Sequence, residues 1–169
     1  MKFRKIIKNR QIRIQVKLQI IHVCIFSVLL YASETWTLKK SEIRRLEAFE
    51  MRCYHQSLNI EWSDSITNVE VINRMQPRQR QMQMVIKRKL GLFGNICRMG
   101  DDCLIKMTMF AMTDGTRRRG GQRRGWLDDI RGWSGMTLEQ LTRLAVDRGA
   151  WRRKVQEIVD TNRQAAHGH

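Results

Sequence analysis

One proline, Pro77, stands in 169 residues. Proline is the strongest helix breaker, because it lacks a backbone N–H and its ring clashes with the preceding turn. A chain almost free of it can run in helices nearly throughout. Two tyrosines and few Val/Thr runs speak against a turn-rich β fold. The expected fold class is therefore all-α, an antiparallel helical unit followed by a small helical C-terminal subdomain across a basic loop. Hydrophobic residues at 42% and charged residues at 28% are ordinary globular values, which excludes wholesale disorder. The length suits one domain or two small subdomains.

Apolar periodicity places the helices. Residues 11–33 read as one helix, with an uncharged stretch at 18–33. That stretch is interrupted by Gln19 and His22 and is shorter than the roughly 20 apolar residues a membrane span needs, so a core helix packed on several sides is expected. Ser41 can cap a second helix with Ile43, Leu46, Phe49, Cys53 and Leu58 inward and Glu42, Glu47 and Glu50 on the remaining faces. Thr67 and Glu70 have capping-box spacing and open a short helix to Met75, which Pro77 closes off. Residues 79–98 form a basic amphipathic helix. Met82, Val85, Ile86, Leu90, Phe93 and Ile96 lie on one side and Arg78, Arg80, Lys87, Arg88 and Lys89 opposite. Gly91 and Gly94 weaken it by about 1 kcal/mol each relative to alanine.

A short helical segment is expected at 103–112. Later helices are expected at 126–133, from Thr137 to Val146, and from Asp147 to about 160, stapled by Trp126, Trp133 and Trp151. The resulting division is a basic arm at 1–10, a helical unit at 11–112, a basic loop at 113–125, a helical subdomain at 126–160 and a tail at 161–169.

Charge narrows the function. Lys and Arg number 32 against 16 Asp and Glu, a net charge of +16. The excess is gathered in three zones, at 1–17, 76–100 and 113–131, with balanced material between the first two. A field of this sign finds its partner in a polyanion, most often nucleic acid. The densest zone is TDGTRRRGGQRRG at 113–125, which has no apolar residue. Arg117, Arg118, Arg119, Arg123 and Arg124 on a glycine-punctuated backbone suit bidentate phosphate contacts that position without reading sequence. Lys87, Arg88 and Lys89 would add to them. Trp126 beside the loop either stacks on a base or anchors the following helix.

Catalysis has no evident home. Asp101-Asp102 and Asp128-Asp129 superficially resemble polymerase carboxylate pairs, but no strand with a third acid precedes them, and Asp128 and Asp129 suit the first turn of a helix. No P-loop, dinucleotide turn or nucleophile motif occurs. Cys24, Cys53, Cys97 and Cys103 read as reduced buried thiols of an intracellular protein. They lack the tight pairs of a structural zinc site, so neither a metal nor a cofactor is expected.

A succession of motifs covers nearly the whole chain: SVLLYASETW at 27–36, LEAFEMRC at 46–53, WSDSITN at 62–68, KRKL at 87–90, Phe93-Gly94 and Arg98-Met99. It continues with RRRG at 117–120, Arg123 and Arg124, WLDDI at 126–130 and DRGAWR at 147–152. Together these resemble the C-terminal region of the endonuclease–reverse transcriptase of LINE-type (non-LTR) retrotransposons. In that family the endonuclease and the polymerase fingers and palm lie upstream. The resemblance thus implies a thumb-like, non-catalytic fragment without the metal-binding aspartates, gripping RNA or DNA, with a nuclear location. The chain departs from the pattern at Ala32, where glycine is usual, at Gly91-Leu92, where Arg-Trp is common, and at Asn95, where histidine is common. Alternatives are a membrane- or partner-docking protein acting through 11–33 and a decayed element product with no selected function.

Overall fold

The structure is a computed structural model, and it describes residues 2–110 and 125–165. Among these the chain is helical with no strand, as expected. It divides into two compact units. One comprises Met1–Ala32 and Leu38–Val85, the other Ser33–Thr37 and Ile86–His169. The expected division at 113–125 falls, Gly125 apart, outside the described residues. The two compact units divide on either side of Ser33–Thr37 and within a helix, between Val85 and Ile86.

The first unit begins with α1 (Lys2–Lys8). The expected basic arm is thus a helix, held by the buried Ile7 and by Asn59 Nδ2, which donates to the Lys8 carbonyl at 3.0 Å. Next come α2 (Ile14–Ile20), a π-helical turn (Ile21–Phe26) and α3 (Ser27–Leu29), running without a break. The i→i+5 spacing of the π turn brings Ile21 and Phe26 both into the core. This run is not buried all round. Val23, Val28 and Tyr31 are 63%, 73% and 81% exposed, and Cys24 is exposed as well.

The helix α4 (Lys40–Leu58) starts two residues earlier than a Ser41 cap would place it, with the Lys39 N–H donating to Glu42 Oε2 at 2.7 Å. Its inward stripe is also displaced. Leu46, Glu50, Met51, Cys53, Tyr54 and Ser57 are buried, while Phe49 is exposed. Glu50 is tolerated inside because three donors converge on it: Tyr54 OH and the Gln81 N–H on Oε1, each at 3.0 Å, and Arg80 Nε on Oε2 at 3.0 Å. These bonds tie α4 to the start of α6 (Gln81–Cys97). Between them lies α5 (Asn68–Met75). Thr67 Oγ1 accepts the Glu70 N–H, but the Glu70 carboxylate turns to Arg74 at 2.6 Å, so only half of the expected capping box forms. Lys17, part of the N-terminal basic zone, is buried too. Its Nζ donates to the Ser57 carbonyl at the end of α4 at 2.7 Å, and burial holds its pKa below the usual lysine value.

In the second unit, α6 continues and is followed by α7 (Leu104–Phe110), α8 (Trp126–Ser134), α9 (Leu138–Val146) and α10 (Arg148–Ala165). The box at Thr137 forms in both directions, Gln140 N–H to Thr137 Oγ1 and Thr137 N–H to Gln140 Oε1. Asp147 caps α10 by accepting the N–H groups of Gly149 and Ala150, at 2.7 and 3.1 Å. The helix reaches Ala165, beyond the expected end near 160. Leu90, Phe93, Ile130, Leu141, Trp151 and Val159 are buried in this unit. Trp151 packs on Phe93 with ring centroids 5.5 Å apart and donates its Nε1–H to the Leu90 carbonyl at 3.1 Å. No helix among the described residues is long and apolar enough to cross a membrane.

Candidate nucleic-acid interface

Successive residues on a helix point about 100° apart, so the basic run on α6 cannot present all its side chains to one partner. Lys87 and Arg88 are exposed. Lys89 falls three residues after Ile86 and four before Phe93, on the apolar stripe, and is fully buried. Its ammonium lies 2.5 Å from Asp129 Oδ2 and 2.6 Å from the Trp36 carbonyl oxygen. The rings of Trp126 and Trp133 flank it, with centroids at 4.9 and 5.5 Å. A carboxylate, a carbonyl and two indole faces replace the water that a buried ammonium loses. The expectation that Lys89 meets phosphate is therefore corrected: it is an internal strut.

Trp126 belongs to the same strut. Its Nε1–H donates to the Glu34 carbonyl at 2.8 Å, and its ring faces the Lys89 ammonium. The anchoring alternative is the one realised, and the indole is not presented as a platform for a base. The three tryptophans do staple the C-terminal helices, but onto α6 more than onto each other: Trp126 and Trp133 through Lys89, Trp151 through Leu90 and Phe93.

Asp128 and Asp129 are split between unrelated tasks. Asp128 Oδ2 accepts the Gly125 N–H at 2.6 Å at the start of α8, while Asp129 points inward to Lys89. Asp101 pairs with Lys106 at 2.7 Å, which holds its pKa below the usual carboxylate value, and it is almost wholly solvent-exposed. The cysteines divide also. Cys53 and Cys97 are buried, and burial pushes both thiols up to about 11, whereas Cys24 is exposed and Cys103 half-exposed, contrary to the expectation of four buried thiols.

Arg117, Arg118, Arg119, Arg123 and Arg124, the centre of the expected interface, lie outside the described residues. Of the remaining candidates, the structure brings Lys89 and Trp126 together inside the fold and leaves Lys87 and Arg88 at its surface. The pairing of Lys89 with Asp129 was within reach of the sequence, since a lysine at a stripe position signals an inward charge in need of an acid. Which acid meets it depends on the packing of α8 on α6, a tertiary fact. Compared with family models, curated proteins and solved structures, the chain matches none of them.

Proposed function

We propose that the chain is a non-catalytic helical unit that binds nucleic acid through its backbone, as its resemblance to LINE-type reverse transcriptases implies. One observation carries this reading. With 32 bases against 16 acids, pairing every carboxylate with one base still leaves 16 bases unmatched. Among the described residues Glu50, Glu70, Asp101, Asp129, Glu139 and Glu157 are engaged with bases of the chain itself. The surplus repels itself until a polyanion binds. The phosphate contacts are assigned to Arg117, Arg118, Arg119, Arg123 and Arg124, with Lys87 and Arg88 in support. Such contacts favour neither RNA nor DNA.

The test is filter binding of a labelled duplex and a labelled single strand at fixed salt, comparing the natural chain with a variant carrying alanine at all five loop arginines. Affinity should fall by about tenfold or more on both probes. Unchanged binding removes the loop from the interface. Primer extension on an RNA template addresses the polymerase alternative, and no product is expected.

A second reading has its own observation. Val23 and Val28 in the run from α2 to α3, and Tyr31 just after it, are exposed apolar side chains, which fits docking on a partner. Hydrogen exchange in the isolated chain and in extract distinguishes the two. Protection gained over 14–31 only in extract favours docking.

A further inference from the structure

The first unit holds an open cleft of about 700 Å³, within the usual size range of small-molecule sites. Its polar wall is made of Gln15, Gln19, Gln76 and Gln79, with His22 and Arg78 beside them. Leu18, Pro77 and Met84 supply apolar surface. Among the described residues no carboxylate lines it. Gln15, Gln19 and His22 share one face by their spacing of four and three residues along α2 and the π turn. Gln76, Pro77, Arg78 and Gln79 come from the link between α5 and α6.

Gln15, Gln19 and Gln76 are exposed and Gln79 is half-buried, so their amides are open to a ligand. Gln76 also adopts a left-handed backbone, with φ 48°, at the C-cap of α5. Glycine or asparagine is the favoured residue in that conformation, so a glutamine there accepts strain while placing an amide on the cleft. His22 is held edge-on to Phe26 at a centroid distance of 5.2 Å, and burial lowers its pKa, so at neutral pH the ring is an uncharged surface with one donor and one acceptor.

We infer that this cleft receives a single unpaired nucleotide, with its base edge on the glutamine amides, its face on the apolar surface and its phosphate at Arg78. The match is chemical. A primary amide offers a donor and an acceptor side by side, which complements the Watson–Crick edge of a base. Unpaired bases expose such edges, whereas in a duplex they are turned toward the complementary strand. One guanidinium and no carboxylate fit a ligand carrying one phosphate. The inference rests on the proposed nucleic-acid binding and adds a preference for unpaired strands that the loop arginines do not confer.

The experiment uses the full chain and two probes of one sequence: a single strand of about 12 nucleotides, within the usual footprint of single-strand binders, and the matching duplex. In the variant Gln15→Ala/Gln19→Ala/Gln79→Ala, affinity for the single strand should fall about tenfold while affinity for the duplex changes less than twofold. Arg78→Ala should weaken single-strand binding and lower its salt slope by about one contact. A 5-iodouracil-substituted single strand, irradiated on the natural chain, should crosslink within 15–22 or 76–84, a readout that needs no variant. Crosslinks wholly elsewhere, or equal losses on both probes, overturn the cleft and leave backbone binding standing. Absence of binding to either probe overturns both.

Discussion

Lys89 and Asp129 meet at 2.5 Å with neither side chain reaching solvent. The pair joins α6 to α8. Removing one leaves the other in the interior without the opposite charge it meets there. Lys89→Met should therefore destabilise the chain by about 3–5 kcal/mol, and Lys89→Met/Asp129→Leu should recover most of that loss. Urea unfolding of the natural chain, both single variants and the double variant measures the coupling. Additive losses would mean that the two side chains do not meet.

Gly94 and Gly91 occupy the same helix with opposite consequences. A Cβ on Gly94 would stand 2.2 Å from Trp151 Nε1, whereas one on Gly91 has no neighbour within 4 Å. Gly94→Ala should destabilise by about 1–3 kcal/mol through overpacking against the indole. Gly91→Ala should stabilise by about 1 kcal/mol, the ordinary gain of alanine in a helix. Thermal unfolding checks the two signs, and tryptophan fluorescence should change only for Gly94→Ala.

Ala32 has φ 53°, a left-handed backbone in which a Cβ crowds the following carbonyl. Ala32→Gly should raise stability by about 1 kcal/mol, read as a higher urea midpoint with an unchanged slope.

The buried thiols titrate late. With Cys53 and Cys97 raised to about 11 from an unperturbed 9.0, the neutral form is favoured in the fold. Their contribution to stability is complete below pH 9 and is lost as pH rises through about 11. At pH 8, a thiol reagent should modify Cys24 at once and reach Cys53 and Cys97 only after denaturant is added.

Asp147 works at the other end of the scale. Its carboxylate accepts the backbone N–H groups of Ala150 and Gly149, which lowers its pKa below the usual 3.8. A depressed folded pKa stabilises above the unfolded value and is lost as pH falls through the folded one. The difference in melting temperature between the natural chain and Asp147→Ala should be constant at neutral pH and shrink below about pH 4. Asp147→Asn, which keeps the cap without the charge, should show no such shrinkage.

What the sequence reveals here follows the range of the interaction. Thr67, Thr137 and Asp147 act within four residues, and all three were legible as helix starts. Pro77 separates α5 from α6 for an equally local reason. The π turn escapes a 3.6-residue template because it shifts the inward face by one residue. Glu50 and Phe49 exchange expected places because Arg80 and Gln81, distant in sequence, make the inside habitable for a carboxylate. Lys89 was counted with its basic neighbours, and only the approach of Asp129 and two indoles shows that it serves the fold. The cleft was not legible, since its glutamines come from segments about 60 residues apart and carry no charge or repeat to mark them.

The account stands on surplus positive charge meeting a polyanion, and the salt dependence of binding tests that most directly. Filter binding of a short duplex across a series of salt concentrations should give log K falling linearly with log salt. The slope should be about −4 or steeper if the five loop arginines each engage a phosphate. A flat dependence, or no binding at the lowest salt, contradicts the account.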